Sequence, residues 1–375
     1  MNWRVNMRFF IVIKKKHLYP ALSSLALVAI LVFTNVIPVF SSSTIDDEIV
    51  KVAEGIFRAR SQATLLKDSE LMDSLYDTSK KYSQWAFEHE EKKIKYLHNW
   101  AEKQGVVFTA INPTIKVRSM KKNGNTYSMY LICSTEYEYH YENAPDVTNS
   151  FRIGTYHTIN LTNKEGQWWI TKEWYTDPFA DSLNLDNIKY QDAKEFIINH
   201  EGRDLSNISE YRLKAIEYME QYCGAASDPK YNFVYNKKYG DYNPQGGDCA
   251  NFASQTLFET GRFKKNSTWN HNKNGATKAW LNADGFSRYL LSSGRGSLIT
   301  KGTYDKVYKS AYKLLPGDIV AYEKGGRITH VSMVSGADSK GYSLVTCHNT
   351  DRNQVPWDLG WSNKNIKFWF IRVNF

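Results

Sequence analysis

Apolar positions recur at helical spacing near the start of the chain and at strand spacing after it. Between Ile45 and about Tyr96, Ile49, Ala53 and Phe57 share one helical face, and so do Leu71, Leu75 and Tyr82. Glu88 to Lys95 is charged at almost every position and reads as solvated helix surface. From Val106 to Phe179 the period changes to two. Thr126 to Tyr141, Phe151 to Leu161 and Gln167 to Tyr175 read as strands, with Asn123-Gly124-Asn125 and Asn163-Lys164-Glu165-Gly166 as hairpin turns. Helices followed by an antiparallel meander predict an α+β domain over residues 45–180, its helices packed on one face of a curved sheet.

Residues 181–208 read as a connector with one short helical piece around Ala193 to Ile198. A new helix is expected near Ser209. Tyr211, Ala215, Tyr218, Met219 and Tyr222 share its face, and Gly224 lies past its end. Strands follow at Ile319 to Tyr322, Ile328 to Val334 and Tyr342 to Cys347, the first two joined through Gly325-Gly326. Residues 209–375 therefore form a second expected domain.

Charge changes the picture at the amino terminus. The formal net charge is +9, of which +5 comes from Arg4, Arg8, Lys14, Lys15 and Lys16 in an acid-free stretch, leaving +4 for the rest. The apolar run Leu18 to Phe40 follows, and then three serines. A basic stretch before an apolar run of about 20 residues predicts translocation of what comes after it. Residues 1–43 are expected to be a signal peptide or a retained membrane anchor, with the bulk of the chain secreted or extracellular. The modest remaining excess of positive charge suits anionic surfaces such as cell-wall polymers, and no basic stripe or nucleic-acid motif accompanies it. The 25 Tyr, 18 Phe and 11 Trp speak for packed domains rather than disorder.

Candidate chemistry concentrates in the second half. Gly246-Gly247-Asp248-Cys249-Ala250-Asn251 runs from a turn into a helical pattern, so Cys249 falls in the first turn of a helix. Unpaired backbone N–H groups and partial positive charge there favour a thiolate and can hold an oxyanion. Asp248 is the expected helix cap. A thiolate needs a base, and His330, early on a strand, is the candidate. A third polar group should orient the imidazole. The next strand delivers His348, Asn349 and Asp351 at its end, preferred in that order, while alternation turns Cys347 away from the His348 side and toward a structural role. Gln255 reads as a buried polar partner, and Tyr235 and Tyr239 as packing residues that can close a pocket. Four cysteines, Cys133, Cys223, Cys249 and Cys347, permit two disulfides, and no Cys/His cluster has metal-ligand spacing. No cofactor or metal is expected. The first domain carries no comparable chemistry; Tyr137, Tyr139 and Tyr141 alternate on one face and read as cross-strand packing.

Gly247-Asp248-Cys249-Ala250-Asn251-Phe252-Ala253-Ser254-Gln255, with Leu315-Pro316-Gly317-Asp318, Ile328-Thr329-His330-Val331 and Cys347-His348-Asn349-Thr350-Asp351, resembles the amidase-domain family of Gram-positive bacteria. That family is related to the papain-like NlpC/P60 and CHAP peptidoglycan hydrolases. The resemblance covers residues 209–375 and implies a papain-like fold with a Cys–His pair acting on amide bonds. It implies Cys249 as nucleophile, His330 as base and His348 as third member. Ala250 departs from the family's usual Thr or Ser. The element order of the first domain resembles the cone-shaped fold related to nuclear transport factor 2. The expected activity is an exported cysteine-dependent amide hydrolase with a cell-wall peptide as substrate. The rivals are an inactive wall-binding module and an acyl-transferring transpeptidase using the same Cys–His pair.

Overall fold

The computed structural model describes residues 45–183, 193–363 and 365–375. The expected leader over residues 1–43 lies outside them. Among the described residues no helix is long and apolar enough to cross a membrane.

The architecture is α+β, with helices packed on a large antiparallel sheet. Helix α1 (Asp47–Leu66) opens on Asp46, whose carboxylate accepts from the N–H groups of Glu48 and Ile49, and ends at Lys67 in the left-handed region. Helix α2 (Lys81–Gln104) ends at Gly105, also left-handed. Four strands follow: β1 (Val106–Asn123), β2 (Thr126–Tyr141), β3 (Ala144–Lys164) and β4 (Gln167–Tyr175). Ile49, Ala53 and Phe57 of α1 pack with Met129, Leu131, Ile159 and Ile170 of the sheet. A closed ionic group sits in this half. Glu173 accepts from Arg60 at 2.7 Å and Tyr76 at 2.9 Å, and lies 2.7 Å from His157. Burial raises the Glu173 pKa, but the Arg60 charge overrides it and holds the carboxyl well below its usual range.

The second half contributes α3 (Glu210–Tyr222), α4 (Cys249–Glu259) and α5 (Ala283–Ser292). Its strands are β5 (Gly296–Gly302), β6 (Ile319–Lys324), β7 (Arg327–Ala337), β8 (Ser343–Cys347), β9 (Arg352–Pro356) and β10 (Lys367–Val373). The sheet runs β1-β2-β3-β9-β8-β7-β6-β10-β5, with β4 also on β3. One sheet of ten strands thus crosses both halves. The join is Ile153 with Arg352 and Arg152 with Asn353, extended by the Gly154 N–H donating to the Asp351 carbonyl at 2.8 Å.

The join is packed as well as paired. Tyr96, Trp100, Phe108 and Tyr137 share one core with Tyr322, Trp357 and Phe368. Tyr139 and Tyr141 donate to Asp338 at 3.0 and 2.6 Å, so these two tyrosines pack against the second half. A Cβ on Gly154 would stand 2.2 Å from the Ala225 carbonyl carbon, so only glycine lets β3 pass that segment. A second core, on the other face of β6 and β7, holds α3, α4 and α5.

Candidate functional site

Helix α4 begins at Cys249, as the turn chemistry before it dictates. Gly246 and Gly247 hold φ of 111° and 137°, a region that L side chains rarely enter. Asp248 does not cap the helix, contrary to expectation. Its Oδ1 accepts from the Tyr242 N–H at 3.0 Å and from Asn251 Nδ2 at 2.8 Å, and its Oδ2 lies 2.6 Å from His348 Nδ1. The helix start is therefore left without a side-chain cap beside the thiol. Asn251 also accepts from the Trp280 indole, and Gln255 accepts from Tyr218, so the helix interior is a satisfied polar network.

Cys249 meets the sheet where two strands part. Pairing of β7 with β8 ends at Met333 with Thr346. The Val331 N–H, two residues beyond, favours the Cys249 thiolate, as does the Ala250 N–H. Burial opposes both and wins: the residue is 6 % exposed and the thiol pKa is pushed up to about 12.

The sequence led us to expect His330 beside Cys249 as its base, but His330 makes no hydrogen bond to Cys249. Its Nε2 lies 3.3 Å from Cys347 Sγ. Alternation along β7 explains this: Val331 and Met333 face the Cys249 core, and His330 turns the other way, against Tyr322 and Trp361. Burial lowers its pKa to about 3, with the Arg352 charge acting in the same direction, and burial raises Cys347 to about 11. Both partners are neutral at pH 7.

His348 is not the residue that orients His330. Its Nδ1 faces Asp248 and its Nε2 lies 2.6 Å from the Tyr222 carbonyl, so both nitrogens act as donors. Burial lowers its pKa, but the hydrogen bond and charge of Asp248 more than offset this and leave it raised. Tyr235 and Phe252 stack on its two faces with ring centroids 3.8 and 4.0 Å away. Asn349, at φ 64°, sits beside Gly247 and makes no hydrogen bond to His330. Asp351 accepts from Tyr235, Tyr156 and the Ala225 N–H, and burial raises it to about 6. The Gly-Asp motif is also structural: Asp318 is bound by Arg212 and Arg372. All four cysteines are free and buried. Among the described residues no group of His, Cys, Asp or Glu is arranged to hold a metal ion.

The arrangement sets a helix-start thiol on one side of β7 and a buried imidazole with a second thiol on the other. A family described as "Putative amidase domain" matches residues 209–371. The match spans α4, β7 and β8. YhbB, an uncharacterised protein of Bacillus subtilis (strain 168), is 27 % identical over 153 residues. The matched stretch is 39 % of this chain and 43 % of that relative, so under half of the relative's length is covered. Among solved structures, the intermembrane space region of chloroplast protein ARC6 aligns over 33 % of this chain and 94 % of its own. Identity is 14 % and the TM-score 0.22, too low to speak for a common fold.

Proposed function

We propose that this chain is an exported, thiol-dependent amide hydrolase acting on peptide amides of the cell wall, with Cys249 as nucleophile. The observation that carries the reading is the place of Cys249: an uncapped helix start, with two peptide N–H groups favouring its thiolate. In this reading the Cys249 proton passes to water as the sulfur attacks the carbonyl carbon, because His330 faces Cys347 on the other side of β7. Peptide N–H groups at the helix start hold the oxyanion. The C–N bond then breaks, and water delivers a proton to the leaving amine. Water attacks the thioester by the same route and frees Cys249. Since Cys249 rests as the thiol, proton loss accompanies attack. We read the second half as papain-like, from a Cys-led helix on an antiparallel sheet, and the first as a cone of the nuclear transport factor 2 kind. Export rests on the basic and apolar opening of the chain.

A wall-binding module without turnover is the second reading, favoured by burial of Cys249 and of His330, the latter 3 % exposed. Incubation with purified peptidoglycan, reading release of new amino groups, separates the two. Release by the wild type and its loss in Cys249→Ala is the expected result. Equal, negligible release from both puts the hydrolase aside. An added amine acceptor that becomes conjugated would mark acyl transfer instead.

A further inference from the structure

A cleft of about 600 Å³ lies between the outer face of the first-half sheet and the segment leading into α4, within the size range of small-ligand sites. Its platform is a row across three strands. Tyr130 of β2 pairs with Thr158 of β3, which pairs with Trp174 of β4. All three face away from the helices, because their neighbours Leu131 and Ile159 fill the helix-side core. Trp174 is 65 % exposed and Tyr130 43 %. The Tyr130 and Tyr156 rings lie nearly parallel, 16° apart, with centroids at 6.4 Å. The opposite wall brings Asn236, Tyr239, Asn243 and Pro244, and Asn349 and Thr350 close one end.

We propose that this cleft binds a glycan, a chain of pyranose rings. Flat apolar ring faces offered at the surface suit the C–H faces of a sugar, and neutral amides and hydroxyls around them suit its hydroxyl rim. Charge argues against an ionic ligand. Lys237 and Asp241 line the cleft together and cancel, and the Asp351 carboxylate is already taken up by Tyr235, Tyr156 and Ala225. A peptide that binds as an added strand needs a free strand edge. The edge of β3 between its β9 and β4 pairings is only Gly154 to Tyr156, too short to accept one. The cleft wall runs through Pro244 directly into Gly247 and Cys249, and Tyr235 bridges the two places, lining the cleft and stacking on His348. A bound glycan would lie beside the start of α4. The glycan site does not rest on the thiol chemistry.

The test is calorimetric titration of the full chain, held in a detergent without a sugar head group. The probes are a tetramer of β-1,4-linked N-acetylglucosamine, cellotetraose and a tetra-alanine peptide. Binding of at least one sugar is expected, weakened tenfold or more by Trp174→Ala and by Thr158→Arg, and unchanged by Cys249→Ala. Both cleft positions are exposed, so circular dichroism should show the fold intact. Absence of sugar binding, binding of the peptide alone, or sugar binding that survives both cleft substitutions would overturn the assignment. Loss of peptidoglycan turnover with sugar binding kept would instead count against the hydrolase.

Discussion

The resting protonation of Cys249 gives the sharpest prediction. Burial raises its pKa from an ordinary 9.0 to about 12. Three units reduce the thiolate about a thousandfold at neutral pH. Only the thiolate is alkylated. The iodoacetamide rate of Cys249, followed peptide by peptide by mass spectrometry, should therefore climb about tenfold per pH unit from pH 6 to pH 10 without levelling. Occlusion alone slows alkylation equally at every pH, so the slope reports the pKa and the absolute rate reports access. Cys347, at about 11, should climb with the same slope over this range, with about ten times the thiolate fraction of Cys249 at each pH. His330→Ala should leave the Cys249 profile in place, because the imidazole is neutral above about pH 3 and lends no charge. A Cys249 plateau with a midpoint below pH 8, abolished by His330→Ala, would refute this reasoning. It would mean that thiolate and imidazolium coexist at rest.

Other substitutions test the frame. Gly154→Ala should cost about 1–3 kcal/mol or more in chemical denaturation, since its Cβ meets backbone at 2.2 Å. Gly55→Ala, with open space around it inside α1, should be neutral or stabilising by up to about 1 kcal/mol. Glu173→Gln strands the buried Arg60 charge and should lower stability by about 3–5 kcal/mol. The His348–Asp248 pair gives a pH signature. The raised His348 pKa means its stabilisation is complete below about pH 6.5 and is lost as pH rises through the folded value. The stability advantage of wild type over His348→Gln should therefore shrink between pH 6 and pH 9; an advantage flat with pH would show that His348 does not titrate with folding.

Local elements were legible because their signals are local. Helical spacing marked α1 and α2, and Asn-Gly and Glu-Gly turns marked the meander. The glycine pair and Cys249 marked the start of α4. What escaped was set by partners far along the chain. Nothing in Arg152-Ile153 or Arg352-Asn353 announces that they pair. The side chosen by His330 escaped for a different reason. Both faces of β7 are buried, so alternation defines two sides without saying which meets the helix. The clue was present in Val331 and Met333, whose apolar side belongs under α4 and leaves His330 with Cys347. Asp248 carried two competing signals, a cap before a helix and an acid three residues before Asn251, and the tertiary partners Tyr242 and His348 decided between them.

The strand pairing across the two halves bears on how the chain comes to be made. Ile153 and Arg352 are about two hundred positions apart, and contacts so distant in sequence form slowly. While the ribosome finishes the chain, β3 waits with part of its border unoccupied, and such borders invite the wrong neighbour. A gene fragment starting at residue 209 would meet the mirror problem, with β9 lacking its β3 neighbour. The stretch that matches the amidase family is thus not a portable cassette. Moving it to another host protein would require either the meander that precedes it or a redesigned β9 border carrying charge.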